Sequence, residues 1–135
     1  MKIQILCAVL FSCNLAQAIT FEVIGKNKQV VLNQTVEVDL TQNLGVISIL
    51  EFNQNKIPFQ GSEFGISQLA DLGEDIDVIS DTEMKAYGWC FSIDGKISET
   101  MPDQTRIKTQ QAHIQWFYGY AHYKSGDWVG QCLKD

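Results

Sequence analysis

Two cysteines, Cys90 and Cys132, carry the widest chemical repertoire in the body of this 135-residue chain, and the stretch "AYGWCFSIDGK" around Cys90 opens three readings. Cys90 could be a nucleophile, a metal ligand or half of a disulfide. A nucleophile needs a thiolate with a base beside it, and "GWCFS" supplies no base. A metal site needs clustered ligands, but the two histidines, His113 and His122, stand nine residues apart. On one strand they fall at opposite ends, too far apart to share an ion, and there is no H-x-x-x-H or C-x-x-C. Between positions 63 and 83 lie seven acidic residues and no lysine or arginine. "DLGEDID" therefore has the oxygen ligands a hard cation takes but not the spacing of a calcium loop, and reads as a solvated acidic loop. Sixteen acids make chance carboxylate pairs plentiful, so glycosidase-type pairing is uninformative. There is no Gly-rich phosphate loop and no G-x-S-x-G elbow. No catalytic, cofactor-binding or metal-ligating residue is assigned.

The start of the chain decides among the cysteine readings. "MKIQILCAVLFSCNLAQA" has one basic residue at Lys2, an apolar run over positions 3–13, and Ala16 and Ala18 as an A-x-A site. That is the layout of an export signal spanning residues 1–18 and cut after Ala18. The apolar run is short of the roughly 20 residues a bilayer span needs. A lipid-bearing Cys13 in "LFSC" is the alternative, with Phe11 bulky for that motif. Cleavage removes Cys7 and Cys13 and leaves Cys90 and Cys132 as an even pair, which in an exported chain implies one disulfide. Such a bridge closes a loop of about 43 residues and contributes of order 4 kcal/mol at most. The expected location is secreted or periplasmic.

Residues 19–135 suffice for a single domain with one core. Loss of Lys2 leaves nine basic against sixteen acidic residues, a net charge of −7. That surface repels phosphate backbones and anionic lipid, so neither nucleic acid nor unaided binding to an anionic membrane is expected, and no later apolar stretch is long enough for a membrane span.

The elements that must position these residues are mostly strands. "ITFEVIGKNKQVVLNQTVEVDL" reads as a hairpin around the turn "GKNK", with Val36, Val38 and Leu40 alternating with Glu37 and Asp39. Leu44, Ile47 and Leu50 recur at helical spacing, and Thr41 is the expected cap. From position 57 to 82, Pro58, Gly61, Gly65 and Gly73 break the pattern. The reading there is a long loop with one helical turn over 67–72 and a short strand over 76–79. The last third alternates strictly. Tyr87, Trp89, Phe91 and Ile93 share one face of a strand that ends in the turn "DG". Ile114, Trp116, Tyr118, Tyr120 and His122 share one face of the next, with Phe117, Ala121 and Tyr123 opposite. "SGDWVGQC" supplies a third antiparallel strand, so that a Cys90–Cys132 bridge ties the first to the last.

Seven large rings sit on these strands: Tyr87, Trp89, Phe91, Trp116, Tyr118, Tyr120 and Trp128. Trp89, Phe91 and Trp116 are expected to build core, because aromatics contribute the most apolar area per residue. A domain of this size does not easily bury all seven. Tyr87, Trp89, Tyr118, Tyr120 and His122 are therefore the candidate ligand-binding platform.

"YGWCFSIDGK", followed by "DQTRIK" and "IQWFYGYAHY", resembles the DUF4430 family, whose members carry a Y-G-W-x-Y-x-V-N-G-K strand and turn and a later W-x-Y strand. That family is similar to the C-terminal domain of transcobalamin and intrinsic factor, in the soluble-ligand-binding β-grasp group. Asp94 stands where the family has Asn, and the segment over 57–82 is longer than the family's. The resemblance implies an α+β, β-grasp-like fold, a mainly antiparallel sheet with one packed helix. With no catalytic motif and a surplus of aromatic rings, the expected role is that of a non-catalytic binding domain, a monomer whose ligand is a small molecule, a glycan or a protein. The rival classes are a small secreted hydrolase working through carboxylates or His122, and an envelope-associated structural or accessory subunit.

Overall fold

The computed structural model describes residues 16–108 and 111–135. β1 (Ala16–Ile24) and β2 (Val30–Asp39) form the expected hairpin, paired from Ala16↔Asp39 to Ile24↔Val30. Its turn closes with Gly25 N–H donating to the Gln29 carbonyl at 2.7 Å, while Asn27 and Lys28 take left-handed φ values of 57° and 59°. Period-two alternation puts Ile19, Phe21 and Val23 on one face, all buried. Ala16 to Ala18 open β1. Positions 1–15, which carry the rest of the expected export signal, lie outside the described residues. No helix among the described residues is long and apolar enough to cross a membrane.

Helix α1 (Leu44–Gln54) starts later than its expected cap. Asn43, not Thr41, is the N-cap: its side-chain oxygen accepts from Val46 N–H at 2.9 Å. Thr41 is taken up by Asp39, whose carboxylate accepts from both its hydroxyl (2.6 Å) and its N–H (2.9 Å). Leu44, Ile47, Ser48, Glu51 and Phe52 recur at helical spacing and are buried against the sheet. Phe52 sits at the centre of this packing, its ring centroid 5.9 Å from Phe21, 5.6 Å from Phe59 and 5.9 Å from Trp116.

The segment after the helix corrects the expectation of a loop with a helical turn over 67–72. β3 (Phe59–Ser62), β4 (Gly65–Leu69) and β5 (Leu72–Gly73) form a separate three-stranded sheet instead. Ala70 and Asp71, at φ 51° and 64°, reverse the chain between β4 and β5. Two left-handed residues in sequence suit a tight hairpin turn and are incompatible with a helix.

β6 (Asp75–Ser80), β7 (Glu83–Ile93), β8 (Lys96–Ile97), β9 (His113–Lys124) and β10 (Asp127–Leu133) complete the chain. The main sheet runs in the order β2-β1-β9-β7-β6, with β10 on β9 and β8 on β7. β7 and β9 are its spine, antiparallel from Glu83↔Lys124 to Ile93↔Ile114. The other edge of β9 is shared. Its first half takes β1 in parallel, from Thr20↔His113 to Ile24↔Phe117, and its second half takes β10 antiparallel. α1 covers the face bearing Phe21, Phe91, Ile114 and Trp116, which is the main core. The Trp116 indole donates to Ser48 Oγ at 2.8 Å, so a buried polar pair is satisfied within it.

Cys90 and Cys132 are bridged, with Cα atoms 5.9 Å apart. They lie on β7 and β10, with β9 between. Two strand spacings come to roughly 10 Å, so the bridge requires β10 to be lifted over its neighbour. Register shifts on both sides of Gly130, and Cys132 itself at φ 51°, supply that lift. The passage is close: a Cβ on Gly119 would lie 3.0 Å from the Leu133 carbonyl oxygen.

Candidate ligand-binding site

The register of β7 against β9 sets Phe91 opposite Trp116, Trp89 opposite Tyr118, Tyr87 opposite Tyr120 and Lys85 opposite His122. Because odd positions of β7 and even positions of β9 share a face, these side chains form one continuous double row. At its inner end the Phe91 and Trp116 centroids are 5.1 Å apart beneath the helix, and both rings are core. The five residues expected as a platform all lie further along this row. The structure brings them together, but in two different states.

Trp89 and Tyr118 are anchored. The Trp89 indole N–H donates to the Leu72 carbonyl at 2.7 Å, and the Tyr118 hydroxyl donates to the Gly73 carbonyl at 2.8 Å. The short strand β5 is thereby held across the middle of the row, its carbonyls satisfied by side chains. Burial raises the Tyr118 hydroxyl above its usual pKa, with a further push from the Asp75 carboxylate. It stays a neutral donor.

Tyr87, Tyr120 and His122 form the open end. The Tyr87 ring stacks on Tyr118 at 5.4 Å with the planes 15° apart, and Tyr120 lies 5.4 Å from Tyr87. Lys85 Nζ sits 4.5 Å from the Tyr120 ring centroid, a cation over a π face. His122 Nε2 is 2.8 Å from Glu83 Oε1. The Tyr87 hydroxyl is also raised, first by burial and then by Asp135, whose carboxylate lies 3.5 Å away. His113 and His122 do stand at opposite ends of β9, and His113 faces Glu22 at 3.8 Å on the other side of the sheet.

A cleft of about 780 Å³ opens at this end, within the size range of sites that take peptides and drug-sized molecules. Tyr87, Trp89 and Tyr120 contribute to its lining; Tyr118 and His122 do not. Its floor is a patch of small residues where Ala86 meets Ala121 and Gly88 meets Gly119, which strand alternation places on the opposite face of the sheet from the aromatic row. Its rim carries Glu74 and Asp75, the only charged residues in the lining among the described residues. The sequence reading missed this acidic rim, having treated the segment as solvated loop. The signal was present in Gly88 and Gly119, since glycine inside a strand marks a close approach or an opening. The arrangement offers an aromatic row and a small-residue cleft with a negative rim, the Tyr118 and Tyr87 hydroxyls being engaged by Gly73 and Asp135. Cys90, being bridged, has no thiolate to offer. Among the described residues no three His, Cys, Asp or Glu side chains converge as a metal-binding group.

No protein-family model matches the sequence, and no curated protein matches it. Among solved structures, the chain is similar to one from Ruminococcus gnavus described as a "putative metal binding protein", at 22% identity and a TM-score of 0.46, over 76% of this chain and 95% of that one.

Proposed function

We propose that this protein is an exported, non-catalytic binding domain of β-grasp-like architecture, resembling DUF4430 members, that takes its ligand in the cleft at the open end of the aromatic row. The observation that carries this reading is the contrast within the row. Trp89 and Tyr118 spend their polar side-chain atoms on the protein's own backbone, whereas the Tyr87 and Tyr120 rings stand at the open end of the row, on strands that also border a cleft of about 780 Å³. Aromatic side chains with an apolar body and a wet edge are favoured where a surface must recognise a partner. The β-grasp reading is supported by the parallel pairing of β1 with β9 beside the N-terminal hairpin, and by the single helix packed across them. Export is supported by the disulfide and by the layout of positions 1–18.

Native mass spectrometry of the protein isolated from its own source tests the binding role. A retained mass that is lost in Tyr120→Ala, with no chemical conversion of the released molecule, is the expected result. Recovery of a modified product after incubation would instead support the hydrolase.

A further inference from the structure

β7 has a gap in its outer edge. β6 covers that edge as far as Asp75↔Tyr87, and β8 covers it again from Ser92↔Ile97, with Ser98 N–H donating to the Phe91 carbonyl. Among the described residues no strand pairs with β7 on this side between them. Along a strand, successive residues direct their backbone groups to opposite edges. The Thr82 carbonyl accepts from Ser125, on the β9 side, and the Phe91 carbonyl accepts from Ser98, on the outer side. Trp89, two residues before Phe91, therefore presents its N–H and C=O at the gap. A continuation of β6 would have brought Gly73 opposite Trp89, but Leu72 and Gly73 turn their carbonyls to the Trp89 indole and the Tyr118 hydroxyl.

Two hollows meet at this notch. The cleft of about 780 Å³ lies on one side, with Glu74 and Asp75 as its only charges among the described residues. On the other is a hollow of about 260 Å³ walled by Ile97, Met101 and Trp116 with Glu99 at its lining, and Ile66, Trp89, Cys90 and Cys132 border both. Met101 is 55% exposed there. At about 3.4 Å per residue, the uncovered length admits a segment of about three residues.

We infer, resting on the binding role proposed above, that the notch takes a short extended cationic peptide. One of its residues pairs through its backbone with Trp89. That residue's apolar side chain enters the smaller hollow, and a neighbouring lysine or arginine meets Glu74 and Asp75. Backbone pairing at a strand edge gives affinity without regard to sequence, while the hollows on either side select alternate side chains. The charge selection agrees with the chain's net −6.

The probe is acetyl-Lys-Leu-Lys-amide, titrated into isotope-labelled protein and followed by amide NMR and calorimetry. Saturable shifts at Gly88, Trp89 and Cys90 are expected. Methylating the leucine nitrogen should weaken binding at least tenfold, and acetyl-Glu-Leu-Glu-amide should not bind. Glu74→Gln with Asp75→Asn should weaken binding several-fold and flatten its salt dependence. Gly88→Leu should abolish binding while keeping the melting temperature, since a Cβ there meets nothing within 4 Å. If that variant does not fold, the methylated peptide and the acid variants still decide the matter. Equal binding of the methylated or the acidic peptide overturns the inference. Binding of phenethylammonium without binding of the peptide also overturns it, and leaves the cleft as a site for small organic cations. Silence from both probes overturns it too, independently of the mass-spectrometric test of the broader role.

Discussion

Gly88 and Gly119 are directly opposed across β7 and β9, yet they face different surroundings on the same side of the sheet. A Cβ at Gly88 meets nothing within 4 Å, whereas one at Gly119 would lie 2.9 Å from the Phe117 ring and 3.0 Å from the Leu133 carbonyl. Gly119→Ala should destabilise by about 1–3 kcal/mol, the cost of overpacking a site whose neighbour is backbone. Gly88→Ala should be neutral or stabilise by about 0.4–1 kcal/mol through the unfolded chain. Denaturant melts of the two variants check the asymmetry, and equal losses would refute it.

Cys90→Ser and Cys132→Ser should each cost about 2–5 kcal/mol, and the double variant little more than either. The bridge is the device that holds the end of β10 over Gly119, so both partners remove the same restraint. Urea titrations of the three variants provide the cycle. Intact-mass analysis of the unreduced, denatured protein should show a terminus at Ile19 and no alkylation.

Trp116→Ala should cost roughly 3–5 kcal/mol, because the ring is 2% exposed and also supplies the donor to Ser48. Tyr120→Ala loses ring contacts at the open end and should cost only about 1 kcal/mol, while removing ligand retention. Paired thermal melts separate core from platform. If Tyr120→Ala melts as low as Trp116→Ala, the platform reading fails.

Glu51 is a buried carboxyl on the inner face of α1, and burial raises its pKa, opposed in part by the Gln34 amide 3.4 Å away. A carboxyl whose folded pKa is raised binds its proton more tightly in the folded state, so its contribution to stability is present in acid and is lost as pH rises through the folded pKa. The window opens near the ordinary value of 4.5 and extends upward. Glu51→Gln should therefore melt higher than the parent at pH 7, with the difference closing by pH 4. Melting temperatures across that range test the sign.

The alternation of residues 114–123 was enough to place Trp116 in the core and Phe117 on the other face, since period two fixes the face of every residue once one is known. Together with the alternation of residues 87–93, it was enough to align the five platform residues. Where the apolar pattern was short, the reading failed. Strands of four, five and two residues carry too little periodicity, and the reversal at Ala70 and Asp71 uses no glycine to announce it. The helix cap was missed by two positions because Thr41 and Asn43 are both good caps and only the neighbouring Asp39 decides between them. Gly88 and Gly119 mark an opening within the strand pair, but the extent of the cleft was not legible. It depends on where β6 stops along β7, and that end point is a property of tertiary pairing rather than of any local pattern.

The parallel seam between β1 and β9 sets an order of events for the newly made chain. Thr20 must wait for His113, more than ninety residues downstream, so closing the centre of the sheet is a search over a long and entropically costly loop. The β7, β9 and β10 strands lie close in sequence and are joined by their own covalent tie, so they can assemble first. β1 would then enter last, into the length of β9 that β10 leaves vacant. Such a route has high contact order and belongs among the slow folders, on the scale of milliseconds to seconds. Until β1 arrives, the half-built sheet carries an open strand edge, with unpaired backbone groups that can template pairing with another chain.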